Sequence, residues 1–225
     1  LGDDRVNAPA LVATDPVPAV STGNDIVVGD NGYVNWDSAG LITQFASSEP
    51  ELGGNDVVDV SDGANIVVGG FGNDTIATGV GSDIVLGDNG QVSYTAGTTQ
   101  LLQAVTTDVV NETGGNDTII ASDGDNVIMA GVGADTVSAA SGADLVMGDN
   151  GQIDWTASGV YSAFQTTDPA LGAGDVINVG DGDNIVAGGF GSDQITAGVG
   201  EDLIIGDNGL FQYTEVGGVA VLTEA

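Results

Sequence analysis

The residues most able to do chemistry in this sequence are aspartates and asparagines that recur every nine residues. They form three groups of four, and glycine stands two places before eleven of the twelve. The exception is Asp175, which has Ala173 at that place. Carboxylate and amide oxygens are hard ligands of the kind that calcium prefers. The candidate metal ligands at these positions are Asp56, Asn65, Asp74, Asp83, Asp117, Asn126, Asp135, Asp144, Asp175, Asn184, Asp193 and Asp202.

The charge balance also favours a cation-binding protein. The chain has 33 acidic residues and one basic residue, Arg5, which gives a net charge of −32. An acidic chain of this kind is often disordered, but here 41% of the residues are hydrophobic and the mean hydropathy is +0.18. A folded state cannot neutralise these carboxylates with salt bridges because the basic partners are missing. Cations from solvent are the remaining means, and calcium is the natural choice for all-oxygen sites.

The missing residue types exclude several classes of function. Without histidine, cysteine or lysine there is no imidazole base, thiol nucleophile, Schiff base or soft-ligand zinc site. The negative surface would repel nucleic acids and anionic membranes, and no apolar run reaches the roughly 18 residues of a membrane span. We therefore predict neither nucleic-acid binding nor membrane insertion. Because the repeat register accounts for nearly all the strong aspartates, we also predict that the chain is not an enzyme.

The nine-residue period predicts the elements that position these side chains. Valine or isoleucine stands two residues after all twelve aspartates and asparagines. A glycine-rich turn followed by a three-residue strand, with its middle residue pointing inward, explains that pattern. Two units then make one coil with a strand on each side. Stacked coils give two parallel sheets separated by valine and isoleucine.

A longer repeat contains these units. The tetrapeptide Gly-Asp-Asn-Gly begins at Gly29, Gly87, Gly148 and Gly206. We predict a single repeat-array domain over residues 1–225, with a partial repeat at 1–28, long repeats at 29–86, 87–147 and 148–205, and a partial repeat at 206–225. Residues 1–6 look like a worn copy of residues 86–92. We therefore interpret the chain as a slice of a longer array or as one subunit of a stack.

A segment outside the nine-residue period follows each Gly-Asp-Asn-Gly motif. It begins with a short alternating strand whose fourth residue is aromatic, and it continues through a turn into a second apolar segment. We predict a β-hairpin inserted once per repeat of ~60 residues. The strands of the second and fourth units are apolar on both faces, so we expect the hairpins or a neighbouring subunit to cover them. The four aromatic residues are Trp36, Tyr94, Trp155 and Tyr213.

Residues 69–77 and 188–196 are the best copies of the unit and read GGFGNDTIA and GGFGSDQIT. They resemble the repeats-in-toxin (RTX) nonapeptide G-G-x-G-x-D-x-U-x. The resemblance implies an all-β fold, a right-handed parallel β-roll or β-solenoid of nonapeptide half-turns. It also implies several calcium ions between successive turns, held by carboxylates 18 residues apart and by backbone carbonyls. The implied pairs are Asp56 with Asp74, Asp117 with Asp135, Asp175 with Asp193, Asn65 with Asp83, Asn126 with Asp144, and Asn184 with Asp202.

The second unit of every long repeat departs from the family pattern. It has asparagine where the family has aspartate, and an additional aspartate stands three residues earlier. These additional candidate ligands are Asp62, Asp123 and Asp181. Charge is kept in the turn but moved, so calcium sites there are expected to be weaker, rearranged or unoccupied.

The charge and the resemblance together predict a calcium-binding structural or adhesive module of a secreted bacterial surface or matrix protein. Extracellular calcium would fold and rigidify it, and its partners would be further copies or neighbouring repeats of the same protein, with filament assembly as one outcome. The alternative is a ligand-binding β-solenoid of an adhesin that recognises glycans through the aromatic residues or ice through a threonine-bearing face. We rank ice binding lower because other residues interrupt the threonine ranks.

Overall fold

The computed structural model describes residues 5–8, as a backbone strand, and residues 23–225. In this part of the chain there are three β-sheets, one short 3-10 helix at Asn111–Thr113 and no α-helix, which confirms the all-β prediction. None of the described residues forms a helix with the length and apolar character needed to cross a bilayer. Most of the predicted partial repeat 1–28, with part of the worn motif copy at its start, lies outside the described residues.

Seven parallel strands form the first sheet of the roll. Because the strands come from every second nonapeptide, neighbours in the sheet are one full coil apart along the chain. In spatial order they are β1 (Arg5–Ala8), β5 (Val57–Val60), β7 (Thr75–Thr78), β11 (Thr118–Ala121), β13 (Thr136–Ala139), β17 (Val176–Asn178) and β19 (Gln194–Thr196).

Seven further parallel strands form the second sheet on the opposite side of each coil. They come from the alternate nonapeptides, as the two-units-per-coil interpretation predicts. In spatial order they are β2 (Ile26–Val28), β6 (Ile66–Val68), β8 (Ile84–Leu86), β12 (Val127–Met129), β14 (Leu145–Met147), β18 (Ile185–Ala187) and β20 (Leu203–Ile205).

The core of the roll lies between these two sheets. Strands pair in register, so that Ile119 lies between Ile76 and Val137 in one continuous column. In these two sheets the middle residue of every strand from β2 to β18 is buried, as in Val58, Ile119 and Val186, which confirms the predicted inward direction. Burying a valine or isoleucine side chain contributes about 1.5–3 kcal/mol, and a single coil cannot do so without its neighbours.

The inserted hairpins form a third, antiparallel sheet. Each repeat supplies one two-stranded hairpin, as predicted, but the hairpins also pair with one another into a continuous eight-stranded sheet. In spatial order its strands are β22 (Val219–Glu224), β21 (Leu210–Val216), β16 (Tyr161–Thr166), β15 (Gly151–Trp155), β10 (Leu101–Thr106), β9 (Gly90–Tyr94), β4 (Ile42–Ser47) and β3 (Gly32–Trp36).

The third sheet covers the outer face of the second sheet, which confirms the expectation that the hairpins bury its apolar side chains. Phe45, Phe164 and Phe211 are at most 1% exposed and pack in one cluster with Leu86 and Met129 of the roll. The predicted aromatic positions differ among themselves. Tyr94, Trp155 and Tyr213 pack at the margin of this cluster, whereas Trp36 is 60% exposed.

Each hairpin is inserted within a turn of the roll. The Gly87 N–H still donates to the Met129 carbonyl of the next coil, and the chain then leaves through Asn89 and Gly90 into the hairpin. On its return, the Thr107 N–H donates to the Asn89 carbonyl at 2.9 Å, which closes the base of the hairpin. Gly87 and Asp117 therefore belong to one turn, although a hairpin separates them in the sequence.

Candidate metal-binding edge

Six aspartates form a continuous ladder along one edge of the roll, which we call the glycine edge. The backbone N–H of each donates to Oδ1 of the next, as from Asp56 to Asp74 at 2.7 Å and from Asp117 to Asp135 at 2.7 Å. The predicted pairs on this edge are therefore neighbours. In order along the roll, the ladder consists of Asp56, Asp74, Asp117, Asp135, Asp175 and Asp193.

The ladder also continues across the hairpins, which the 18-residue spacing did not predict. The Asp74 N–H donates to Oδ1 of Asp117 at 2.7 Å, and the Asp135 N–H donates to Oδ1 of Asp175 at 2.8 Å. These partners are 43 and 40 residues apart because a hairpin lies between them. The edge is thus one row of turns rather than three isolated pairs.

The second carboxylate oxygen of these aspartates is buried without a hydrogen-bond donor. This is the case for Oδ2 of Asp74, Asp117, Asp135, Asp175 and Asp193. An ionised carboxylate that is buried without a partner is strongly destabilising, so each such oxygen requires a proton or a cation.

Glycine creates the space into which these oxygens point. A Cβ atom on Gly69 would lie 2.5 Å from Oδ2 of Asp74 and 2.0 Å from the Gly87 carbonyl oxygen of the next coil. Each such place, which we call a glycine cavity because it is the room that a missing side chain leaves, brings a carboxylate oxygen together with a backbone carbonyl oxygen across two coils. The equivalent glycines are Gly29, Gly87, Gly148 and Gly188, and Ala130 takes the same place in the remaining turn.

Burial is the main reason why the pKa values of the glycine-edge carboxyls are high. It raises the pKa of Asp74 to about 8 and that of Asp135 to about 9, and in both cases repulsion from the neighbouring Asp117 adds to the effect. Burial likewise raises the pKa of Asp175 to about 7. No basic side chain occurs between residues 23 and 225, so protons or solvent cations must neutralise this edge.

The aspartates of the Gly-Asp-Asn-Gly motifs belong to the same edge, and the sequence analysis did not identify them as site residues. Asp88 is buried and joins two turns, because its Oδ1 accepts from the Gly115 N–H at 2.9 Å and its Oδ2 from the Val132 N–H at 2.5 Å. Burial, together with Asp117 and other nearby carboxylates, raises its pKa well above the usual value. The fourfold recurrence of the motif was the available signal. Asp30 and Asp149 make the equivalent bonds.

The opposite edge, which we call the amide edge, carries a second ladder with a different chemistry. The Asn126 N–H donates to Oδ1 of Asp144 at 2.9 Å, and Oδ1 of Asn126 accepts from the Asp83 N–H at 3.1 Å. The predicted pairs on this edge are therefore also neighbours. In order along the roll, the ladder consists of Asp25, Asn65, Asp83, Asn126, Asp144, Asn184 and Asp202.

The asparagine side chains of the amide edge use their nitrogen atoms as donors. Nδ2 of Asn126 lies 3.1 Å from the Ser122 carbonyl, 2.9 Å from the Gly124 carbonyl and 3.1 Å from Oδ1 of Asp144. Asn65 and Asn184 make the same three contacts in their own turns. The turn carbonyls at these positions therefore already have hydrogen-bond donors.

The additional aspartates Asp62, Asp123 and Asp181 lie at the outer surface of the amide-edge turns. Each accepts a backbone N–H from the turn one coil further on, at distances between 2.8 and 3.1 Å. They are exposed or partly exposed and do not join the buried ladder. The structure thus separates them from the asparagines with which the sequence associated them.

Among the described residues, no three histidine, cysteine, aspartate or glutamate side chains are grouped as a metal site. The glycine edge instead combines carboxylate oxygens with backbone carbonyl oxygens. Such a donor set suits calcium, which takes six to eight oxygen ligands that include carbonyls in flexible geometry. It does not suit zinc or copper, which favour nitrogen and sulfur ligands.

Comparison with known proteins agrees with this chemistry. A family model described as the RTX calcium-binding nonapeptide repeat (4 copies) matches residues 59–91, 113–151 and 172–209. The matched stretches contain every residue of both ladders except Asp25 and Asp56. No curated protein and no solved structure matches the chain.

Proposed function

The chain carries RTX calcium-binding nonapeptide repeats, and from this premise we propose that it is a calcium-stiffened structural or adhesive module of a secreted bacterial surface or matrix protein. RTX repeats are calcium-binding structural elements rather than catalytic ones. Outside the cell, the module would fold into the roll and hold its hairpin sheet in a fixed position. Inside, where calcium is scarce, the acidic chain would remain unfolded and suited to export.

We assign the calcium ions to the glycine edge. The observation that carries this assignment is the row of buried Oδ2 atoms that lack donors and face carbonyl oxygens across glycine cavities. Bound calcium supplies the positive charge that these oxygens otherwise lack. The carboxylate ligands proposed on this ground are Asp74, Asp117, Asp135, Asp175 and Asp193. Asp56 is proposed as a further ligand from its place in the ladder, where its N–H donates to Oδ1 of Asp74.

The remaining carboxylates near this edge have a positioning role in the proposal. Asp88 holds two turns through backbone N–H donors, so it fixes the turn carbonyls and adds negative charge beside Asp117. Asp62 and its equivalents accept backbone hydrogen bonds at the surface, and we do not assign them to the buried calcium sites.

Calcium binding and folding are then one equilibrium. The sites are formed by residues from successive coils, so an unfolded chain has no preformed site and binding free energy becomes folding free energy. The same stacking geometry would let the roll continue onto neighbouring repeats of the same protein or onto a second copy. Filament assembly and adhesion belong to this proposal and need their own tests.

A ligand-binding role finds weaker support. On the exposed face of the first sheet, Thr75, Thr118 and Thr136 lie in register, but Val57 and Val176 bound this short run. Ice binding requires longer regular ranks than these three residues supply. Of the four hairpin aromatics, three pack against the roll, which leaves Trp36 as the side chain most available to a sugar ring.

The test is a calcium titration of the chelator-treated chain, followed by far-UV circular dichroism and light scattering. We expect a coil-to-β transition at calcium concentrations well below extracellular levels. Scattering growth in step with it would support filament assembly over an isolated rod segment. A chain that is fully β-structured in excess chelator and indifferent to calcium would refute the proposed function.

A further inference from the structure

We propose that the amides of Asn65, Asn126 and Asn184 take the place of calcium on the amide edge, so that three of its turn-to-turn contacts hold without the ion. This extends the calcium-binding function proposed above and rests on it. The two edges of the roll would then differ in kind, one closed by ions and the other closed partly by hydrogen bonds.

The two edges of a single coil supply the comparison. Asp117 and Asn126 occupy equivalent places, since the backbone N–H of each donates to the aspartate 18 residues later and its Oδ1 accepts from the preceding coil. They differ in the second terminal atom of the side chain, which is an oxygen in Asp117 and a nitrogen in Asn126. Oδ2 of Asp117 is buried without a donor, whereas Nδ2 of Asn126 lies within hydrogen-bond distance of two turn carbonyls and a carboxylate oxygen.

The acceptors around the Asn126 amide form the kind of oxygen set that a calcium ion needs. They are two backbone carbonyls and one aspartate oxygen, Oδ1 of Asp144. A primary amide offers two N–H donors and no net charge. It therefore reaches all three oxygens with one hydrogen shared between two of them, and without the repulsion that a second carboxylate would add. Calcium at this place would have to displace hydrogen bonds that already exist.

The two edges also differ in the residue that stands five places before a ladder position. Five residues before Asp74 and Asp193, the glycine edge has Gly69 and Gly188, whose missing Cβ atoms leave space for Oδ2, and Asp135 is preceded there by an alanine, Ala130. Five residues before each asparagine, the amide edge has a side chain instead, and that side chain is buried in the roll core. These residues are Val60, Ala121 and Val179.

Only the contacts from an asparagine to the next aspartate are closed in this way. The contacts in the opposite order, such as that from Asp144 to Asn184, retain a buried carboxylate oxygen without a donor. Within each long repeat, one calcium-independent contact therefore lies directly opposite a calcium-dependent one. As calcium rises and the chain folds, the calcium-independent contacts would hold the turns in register while ions close the glycine edge.

A reciprocal substitution on one coil tests the proposal. Asp117→Asn places an amide on the glycine edge, and Asn126→Asp removes one from the amide edge. Bound calcium is counted by isothermal titration calorimetry. Stability in chelator is measured as the midpoint of urea unfolding followed by circular dichroism, at a fixed sucrose concentration that populates the folded state. We expect Asp117→Asn to lose one bound ion and to raise the midpoint in chelator. We expect Asn126→Asp to lose no ion and to lower that midpoint.

The possible outcomes separate the two proposals. If the unmodified chain binds no calcium, the function proposed above fails. If it binds calcium and Asn126→Asp loses an ion, or leaves the midpoint in chelator unchanged, the asparagine proposal fails and the function stands. The double variant Ala121→Gly/Asn126→Asp removes both the amide and the methyl group. We expect it to bind one ion more than the unmodified chain, and an unchanged count would contradict the assignment of both groups.

Discussion

Replacing Gly69 by alanine tests the glycine cavities directly. The new Cβ would lie 2.0 Å from the Gly87 carbonyl oxygen and 2.5 Å from Oδ2 of Asp74, well inside the 3.4 Å at which ordinary contact begins. Gly69 does not have a positive φ, so the methyl group adds no backbone strain and the effect comes from lost space. The turn of Asp135 accommodates a methyl group at Ala130, whereas at Gly69 the Gly87 carbonyl oxygen occupies that place. We therefore expect Gly69→Ala to displace the next coil and to remove the calcium site between Asp74 and that coil.

The magnitude follows from two separate contributions. Forcing a methyl group into a packed interior costs about 1–3 kcal/mol, and this part acts with or without calcium. An ion present at 100 times its Kd adds about 2.7 kcal/mol to stability, and this part is lost only in calcium. Gly69→Ala should therefore lower the free energy of unfolding by roughly 4–6 kcal/mol in calcium and by roughly 1–3 kcal/mol in chelator.

Gly206→Ala is the matched control. Gly206 follows a strand of the second sheet as Gly69 does, but a Cβ atom there would meet nothing within 4 Å. We expect a change within about 0.5 kcal/mol, as at open surface positions. Urea unfolding at saturating calcium, and in chelator with enough sucrose to populate the folded state, compares the two variants together with calorimetric ion counts. If Gly69→Ala keeps all its ions and loses no more stability than Gly206→Ala, the cavities are not calcium sites.

Three further predictions concern charge and packing. In chelator, the raised pKa values of Asp74, Asp135 and Asp175 mean that the folded state binds more protons than the unfolded state. The stability that these carboxyls contribute is complete below about pH 4 and is lost as pH rises through about 7 to 9. Circular dichroism should therefore show more β-structure at pH 5 than at pH 9, and the reverse order would contradict the assignment. Asp88→Asn leaves one of two backbone N–H donors without its carboxylate acceptor. It should therefore lower the free energy of unfolding in urea by about 1–3 kcal/mol and weaken the calcium affinity measured by calorimetry. An unaffected affinity would remove Asp88 from the site. Phe164→Ala should lower the free energy of unfolding by about 3–5 kcal/mol because the side chain is fully buried under the hairpin sheet. The control Trp36→Ala, at an exposed residue, should change it by about 0.5 kcal/mol or less in the same thermal or urea unfolding assay. Equal losses of stability would mean that the hairpins do not pack on the roll in solution.

The nine-residue period was sufficient to predict the roll. It placed Val58, Ile76 and their equivalents in the core and the ladder aspartates at the turns, because strand alternation and turn chemistry are local properties of the sequence. Contacts across the hairpins, such as that from Asp74 to Asp117, could not be read from the period. Their sequence separation depends on the length of the insert, which has no fixed relation to the coil.

The asparagines show a second limit of sequence reasoning. Aspartate and asparagine occupy the same place in the nonapeptide, so a motif comparison treats Asn126 as a weaker ligand than Asp117. Only the placement of the amide nitrogen beside two carbonyl oxygens distinguishes a donor from a ligand. The sequence also does not indicate that Asp88 belongs to the site. Its motif served to mark the repeat, and its two backbone donors come from turns that the sequence does not place beside it.

The continuous hairpin sheet has a consequence for how such an array can grow. Each long repeat adds two coils to the roll and two strands to the hairpin sheet. Because neighbouring strands are about 4.7–4.9 Å apart in parallel and antiparallel sheets alike, both layers lengthen by the same amount per repeat. The two layers are therefore commensurate, and whole repeats can be added without a growing mismatch between them. Inserting a single extra coil without a hairpin would lengthen the roll but not the hairpin sheet, and it would leave a gap in the covering sheet.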